Sequence, residues 1–149
     1  MTNIPAIYQG KLNTLDQIKV SPLSRAYTFS DSIYEVIPYF LGKPLCYKEH
    51  FDRMIQSSHL MGLDVDFDSV TKDIKELAAT LNNQDGYVYY QISRGVDMVR
   101  SHIYQDDLEI ERFGYAMPAG FPSSAISAML CDDDRWGRCN IKSTSLLGN

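Results

Sequence analysis

The period of apolar and polar positions changes more than once along the 149-residue chain. The opening stretch "AIYQGKLNTLDQIKV" mixes β-prone residues with turn residues at Gln9-Gly10 and Asn13-Thr14, which predicts a β-hairpin or a short meander. "SIYEVIPYFLGKPLCY" follows as two strand-like runs joined at Leu41-Gly42-Lys43. Pro38 lies inside the first run, and a residue without an N–H belongs at an edge or a bulge. From Lys48 the period turns helical: Phe51, Met54, Ile55, Leu60 and Leu63 form the apolar positions, with Gly62 as the stop. Val70, Ile74, Leu77 and Leu81 predict a second helix from about Ser69, capped by Asp66 or Asp68 and ended by Asn82-Asn83.

Beyond that helix the pattern returns to strands. "GYVYYQISRG" and "EIERFGYAM" read as β-runs around the loop-like "VDMVRSHIYQDD". "PAGFPSS" has two prolines and a glycine within a few residues and reads as a linker. "AISAML" then reads as one more strand, followed by an acidic turn, "CDDDRWG", and a lysine-bearing segment. The order predicts an α+β domain over residues 1–117, a linker over 118–124 and a separate piece over 125–149. A lone strand in that last piece exposes unpaired backbone groups, so it is expected to find a partner.

Composition narrows the function classes. A net charge of −5 and a pI near 5.0 leave no concentrated basic face for nucleic acid. Apolar runs such as "YVYY" are too short to span a membrane, and "MTNIPAIYQG" lacks the basic start and apolar run of a signal peptide. A cytoplasmic location is the expectation. Cys46, Cys131 and Cys139 form no CxxC pair and are expected to be reduced and mostly buried. His50, His59 and His102 make no metal-ligand spacing with nearby carboxylates, and GxGxxG, GxxxxGK[ST] and HExxH are all absent.

A few residues carry chemistry worth weighing. Lys142 stands in "RCNIKSTSLLGN"; covalent work by a lysine needs the neutral amine, favoured by burial or by cations such as Arg135 and Arg138 nearby in sequence. A solvent-facing lysine beside a turn is the ordinary alternative. Arg53 follows Glu49 by four residues, the spacing of a surface ion pair, yet a guanidinium fork also suits a phosphate. Arg100 and His102 flank Ser101, and in extended chain two such groups point the same way, as a carboxylate clamp requires. Tyr34 reads as a strand aromatic with Glu35 on the opposite face.

Taken in order, "SRAYTFSDSIYEV", "KEHFDRM", "GYVYYQISRGVDMVRSH" and "DDDRWGRCNIKSTSLLGN" resemble the N-terminal portion of D-amino-acid aminotransferases, class IV aminotransferases of fold-type IV. The resemblance runs from about Tyr8 to the last residue and implies an antiparallel sheet with two helices, then the first strand region of a cofactor-binding domain cut short after 125–149. It implies pyridoxal 5'-phosphate as cofactor, with Lys142 as the catalytic lysine that binds it and Arg53 as the arginine on its phosphate. It further implies Tyr34, Arg100 and His102 as the holders of the substrate carboxylate, the last two reaching in from the other subunit of a homodimer. The implied reaction is transamination between a D-amino acid and a 2-oxo acid such as 2-oxoglutarate. "VRSH" separates this branch from branched-chain aminotransferases and aminodeoxychorismate lyases on the same scaffold. A catalytically inactive fragment is the remaining alternative, since most of the cofactor-binding loops are expected beyond Asn149.

One departure stands out. Where the family usually shows "FGDGVYEV" this chain reads "FSDSIYEV", with Ser30 and Ser32 in place of glycines. A left-handed backbone at either position carries a cost of about 1 kcal/mol for serine. The apolar side of "AISAML" is expected to drive self-association, or the chain to be disordered after about residue 120. A monomer in sedimentation, protected from hydrogen exchange through Asn149, is the outcome that contradicts this.

Overall fold

A computed structural model describes residues 3–121, 124–133, 137 and 139–147. Among these, the strands are β1 (Pro5–Tyr8), β2 (Lys11–Thr14), β3 (Ser32–Phe40), β4 (Lys43–Pro44), β5 (Gly86–Ser93) and β6 (Glu111–Pro118). They form one antiparallel sheet in the order β2-β1-β6-β5-β3-β4. The helices are α1 (Arg25–Phe29), α2 (Tyr47–Leu60) and α3 (Phe67–Ala79), with a 3-10 turn at Leu15–Gln17. The α+β class and the antiparallel sheet agree with the sequence. The short α1 has no apolar stripe and was not foreseen.

Both hairpins turn where glycine allows. Gln9 and Gly10 have φ of 49° and 74°, and Leu41 and Gly42 have 48° and 74°, the positive pair that a two-residue turn needs to match strand twist. β3 pairs with β5 from Ser32 to Tyr39 without a break, but with β4 only at Tyr39 and Phe40. Pro38 therefore sits at an edge and not in a bulge. Its carbonyl accepts from the Leu45 amide at 2.8 Å on the outer side, where its missing N–H interrupts no ladder.

The two sheet faces differ. Ile33, Ile37, Val88, Tyr90 and Ile92 point towards α2 and α3 and are fully buried, packed with Met54, Val70, Ile74 and Leu77. Each such apolar side chain contributes roughly 1.5–3 kcal/mol by leaving water. Gly114 lets β6 lie against this layer, since a Cβ there would stand 2.7 Å from the Tyr90 ring and 2.8 Å from the Tyr89 carbonyl. On the other face Tyr34, Tyr89 and Tyr115 stack in succession, with ring centres 5.6 and 5.1 Å apart.

The helix boundaries follow the sequence, but one face does not. Asp66 caps α3 by accepting from the amides of Asp68 and Ser69, and Val70, Ile74 and Leu77 all face inward. On α2 the buried residues are Met54, Ser57 and Ser58, whereas Ile55 and Leu60 are exposed. Small serines occupy the inner face because another segment passes close to it, as described below.

Further corrections concern the end of the chain and the thiols. "AISAML" forms no strand, and Ile126, Met129 and Leu130 are exposed. Strand propensity is realised only in a ladder with a partner, and this segment pairs with none of the described strands. Cys46, Cys131 and Cys139 are all exposed, not buried. Arg135, Arg138 and Asp134 of the acidic turn lie outside the described residues.

The serine question resolves position by position. Ser30 ends α1 with φ 52° and ψ 31°, a left-handed cap, while Ser32 is ordinary buried strand. Ser30→Gly is therefore expected to raise the unfolding free energy by about 1 kcal/mol, read as a melting temperature several degrees higher. No gain on thermal denaturation would contradict a strained cap.

Candidate active site

A cleft of about 560 Å³ opens at the outer edge of β3. Its walls come from α1 and the turn after it (Arg25, Phe29, Asp31), from Tyr34 on β3, from Arg53 on α2, and from the segment around Lys142. The size falls in the range of small-molecule sites.

The lysine segment lies against β3 as an extra piece of strand. The Tyr34 amide donates to the Lys142 carbonyl at 2.9 Å, and the Thr144 amide donates to the Ser32 carbonyl at 3.0 Å. The Lys142 amide donates to Ser57 Oγ at 3.2 Å, which explains the serine on the inner face of α2. Ser57 is fully buried, so a larger residue would push the segment away. Held this way, Lys142 Nζ stands 4.2 Å from the centre of the Tyr34 ring. An ammonium over an aromatic face is stabilised by the ring quadrupole.

Arg53 reaches the same cleft from the helical side. Its Nε donates to Glu35 Oε1 at 2.6 Å and its Nη2 to Glu35 Oε2 at 2.7 Å. Glu35 is fully buried, and His50 Nδ1 lies 2.8 Å from its Oε2. The hydrogen bonds to Glu35 hold the Arg53 guanidinium above its ordinary pKa range, against a smaller opposing effect of burial. The partner is thus Glu35, not the Glu49 suggested by helical spacing. Two guanidinium nitrogens are committed to Glu35, and the side chain is still 45% exposed, so the remaining edge is presented to the cleft. Strand alternation makes this possible: Tyr34 and Glu35 face opposite ways, one towards the lysine and one under α2.

A second charged cluster went unassigned in the sequence. Arg25 and Arg94 both pair with Asp31, each through Nε at 2.8 Å, and all three side chains are largely buried. Arg25 Nη1 also lies 3.5 Å from Asp97 and donates to the Ser101 carbonyl at 2.8 Å. Arg94 donates to the carbonyls of Met61 and Gly62. These bonds tie α1, the end of α2 and the loop after β5 together. The only signal in the sequence was two arginines beside small residues, in "LSRAY" and "ISRGV", which does not name their partners.

Arg100 and His102 are exposed and do not line the cleft with Tyr34, Arg53 and Lys142. They do share a side, as extended chain predicts: the Arg100 guanidinium lies 4.7 Å from the Phe29 ring centre and the His102 ring 5.4 Å from it. Behind Tyr34 the same sheet face is aromatic. Burial, with Tyr115 and Tyr34 close by, pushes the Tyr89 hydroxyl up to about 12, which makes it a hydrogen-bond donor and not a base. No group of residues suited to a metal ion occurs among the described residues.

Residues 32–149 match the profile of amino-transferase class IV, and the chain belongs to that family. It is similar to the D-alanine aminotransferase of Listeria innocua, 36% identical over 133 residues that cover 84% of this chain and 46% of the relative. It is also similar to the D-alanine aminotransferase of Bacillus licheniformis, 33% identical over 149 residues, covering 96% and 52%. The chain spans about half the length of these curated relatives. Among solved structures its fold resembles the Escherichia coli branched-chain amino acid aminotransferase (TM-score 0.69, 18% identity, 79% of this chain and 42% of that one). It resembles the 4-amino-4-deoxychorismate lyase of Pseudomonas aeruginosa equally well (TM-score 0.67, 17% identity, 78% and 41%). At these identities the structures speak to the fold alone.

The Arg53–Glu35 pair yields a prediction. Arg53→Ala leaves the Glu35 carboxylate buried with His50 as its one remaining side-chain partner among the described residues, and is expected to cost about 2–4 kcal/mol in chemical denaturation. Adding Glu35→Gln removes the stranded charge and is expected to recover at least about 1 kcal/mol of that loss. Simple additivity would mean the two residues are not energetically coupled.

Proposed function

We propose that this chain serves the transamination of D-amino acids with a 2-oxo acid, using pyridoxal 5'-phosphate. The observation that carries the reading is the convergence of Lys142 Nζ, the Tyr34 ring and the free edge of Arg53 on one cleft. The donor set suits the cofactor: an amine for its aldehyde and a fixed guanidinium for its phosphate. Bound there, the cofactor supplies a carbonyl for amines and a ring that takes up the electron pair left by a departing α-proton.

The chain's own residues account for the remaining tasks. Arg53 is held flat by two bonds to Glu35, so its third nitrogen is aimed without further loss of side-chain freedom. Lys142 is anchored through its own amide and carbonyl, which leaves the four-carbon side chain to carry a proton from the substrate α-carbon and to return it one position away. Tyr34 backs the lysine and closes one side of the cleft. Arg100 and His102 stand on one side of their loop, the arrangement that holds a carboxylate, and their place outside the lining of this cleft favours a role at the site of a second subunit in a homodimer. Handedness then follows from where the carboxylate is held relative to Lys142 Nζ.

Relatives at 32–36% identity that are D-alanine aminotransferases favour this substrate class over the branched-chain and aminodeoxychorismate readings, which rest on fold likeness alone. Borohydride reduction in the presence of pyridoxal 5'-phosphate, followed by peptide mapping, tests the site. The expected adduct is stoichiometric, confined to Lys142 and lost in Lys142→Ala, with the exposed Lys11 and Lys72 unlabelled. Labelling spread evenly over Lys11 and Lys72, or none at all, would sink the assignment of Lys142 and leave this chain catalytically empty.

A further inference from the structure

The backbone bonds between β3 and residues 142–144 are available to any residue at position 32. Two side chains add a link of their own. Ser32 Oγ lies 2.6 Å from Thr144 Oγ1, and Thr144 Oγ1 donates to the Ser30 carbonyl at 3.2 Å. A hydroxyl has one proton. Since that of Thr144 goes to the Ser30 carbonyl, the Ser32 hydroxyl is the donor in the shorter bond. The result is a directed chain, Ser32 to Thr144 to Ser30, closed over the turn that joins α1 to β3.

Ser32 is fully buried and Thr144 half-buried, so water competes for this bond from the Thr144 side only. Thr144 lies two residues from Lys142, with the Ser143 bridge to Ile33 between them. A chain with glycine at position 32, as in the pattern the sequence resembles, has no hydroxyl there to offer. We propose that the Ser32–Thr144 hydroxyl pair is a positioning clamp that holds the lysine segment on the edge of β3 and so sets where Lys142 Nζ stands over Tyr34. The serine that departs from the family pattern adds a side-chain bond at the site. The clamp gives a positioning role to two residues outside the cleft's charged groups, and it rests on the reading of Lys142 given above.

Hydrogen exchange on the whole chain tests the clamp without any cofactor. In Ser32→Ala and in Thr144→Val, the amides of Thr144 and Tyr34 are expected to exchange about five- to tenfold faster, the worth of one buried hydrogen bond, while those of Tyr90 and Ile92 in β5 hold their rates. Thr144→Ser keeps the hydroxyl and should restore the wild-type rate. Acylation of Lys142 by a limiting amine reagent should accelerate in Ser32→Ala, with Lys11 and Lys72 unchanged as references. Unchanged exchange at Thr144 in both variants would overturn the clamp, and so would an equal acceleration throughout β5, which marks general destabilisation only. Failure of the borohydride adduct in the wild-type chain strikes the functional reading instead, since neither exchange nor acylation involves the cofactor.

Discussion

The bond from the Tyr34 amide to the Lys142 carbonyl is the contact on which the site depends. It joins residues more than a hundred positions apart and turns the free edge of β3 into a seam. On one side of the seam stand the residues of the sheet; on the other is a segment with no secondary structure of its own. An unpaired strand edge is a row of unmet donors and acceptors, and covering it satisfies them while placing a lysine at a fixed point. β4 covers the other half of the same edge, at Tyr39 and Phe40, so β3 is protected at both ends by different parts of the chain.

From this seam the geometry of the cleft follows by strand alternation. Tyr34 faces the lysine, and its neighbour Glu35 goes under α2, where a bare carboxylate would cost several kcal/mol to desolvate. Arg53 and His50 offset that cost and are themselves fixed by it. One buried charge thereby orients an arginine whose outer edge is left over for an anion. The class IV aminotransferase family to which the chain belongs uses a phosphorylated cofactor, and a pre-aimed guanidinium is the physical provision such a group requires.

The Arg25–Asp31–Arg94 cluster plays the corresponding part beside α1, where Arg25 and Asp31 line the cleft. Two buried guanidinium groups share one carboxylate, and Asp97 stands within reach of Arg25 to balance the charge. Arg25 also holds the Ser101 carbonyl, so the loop bearing Arg100 and His102 is tied to the turn that precedes Tyr34. Arg100 and His102 on their loop and Tyr34 on β3 are thus referenced to a common anchor, although they do not line one cleft together.

Local pattern made much of this legible. Alternation and helical periodicity located the strands, α2 and α3; the cap of α3 was narrowed to Asp66 or Asp68, and Pro38 to an edge or a bulge, and the fold chose the first of each. Lys142, Arg53 and Tyr34 were singled out by the ordered motifs that resemble class IV aminotransferases, since local spacing alone left each of them an ordinary structural use. What the sequence could not supply was pairing across distance. Helical spacing offered Glu49 to Arg53, but folding brought Glu35, since a buried carboxylate gains more from the guanidinium than an exposed one. "AISAML" had the composition of a strand and formed none, because a strand needs a partner and this segment pairs with no described strand. Ser57 on α2, which the helical period did not single out, is the seat of the lysine segment. Residue type and period determine which local structures are available; only the folded chain decides which edge is free, which charge is buried, and therefore which side chains meet.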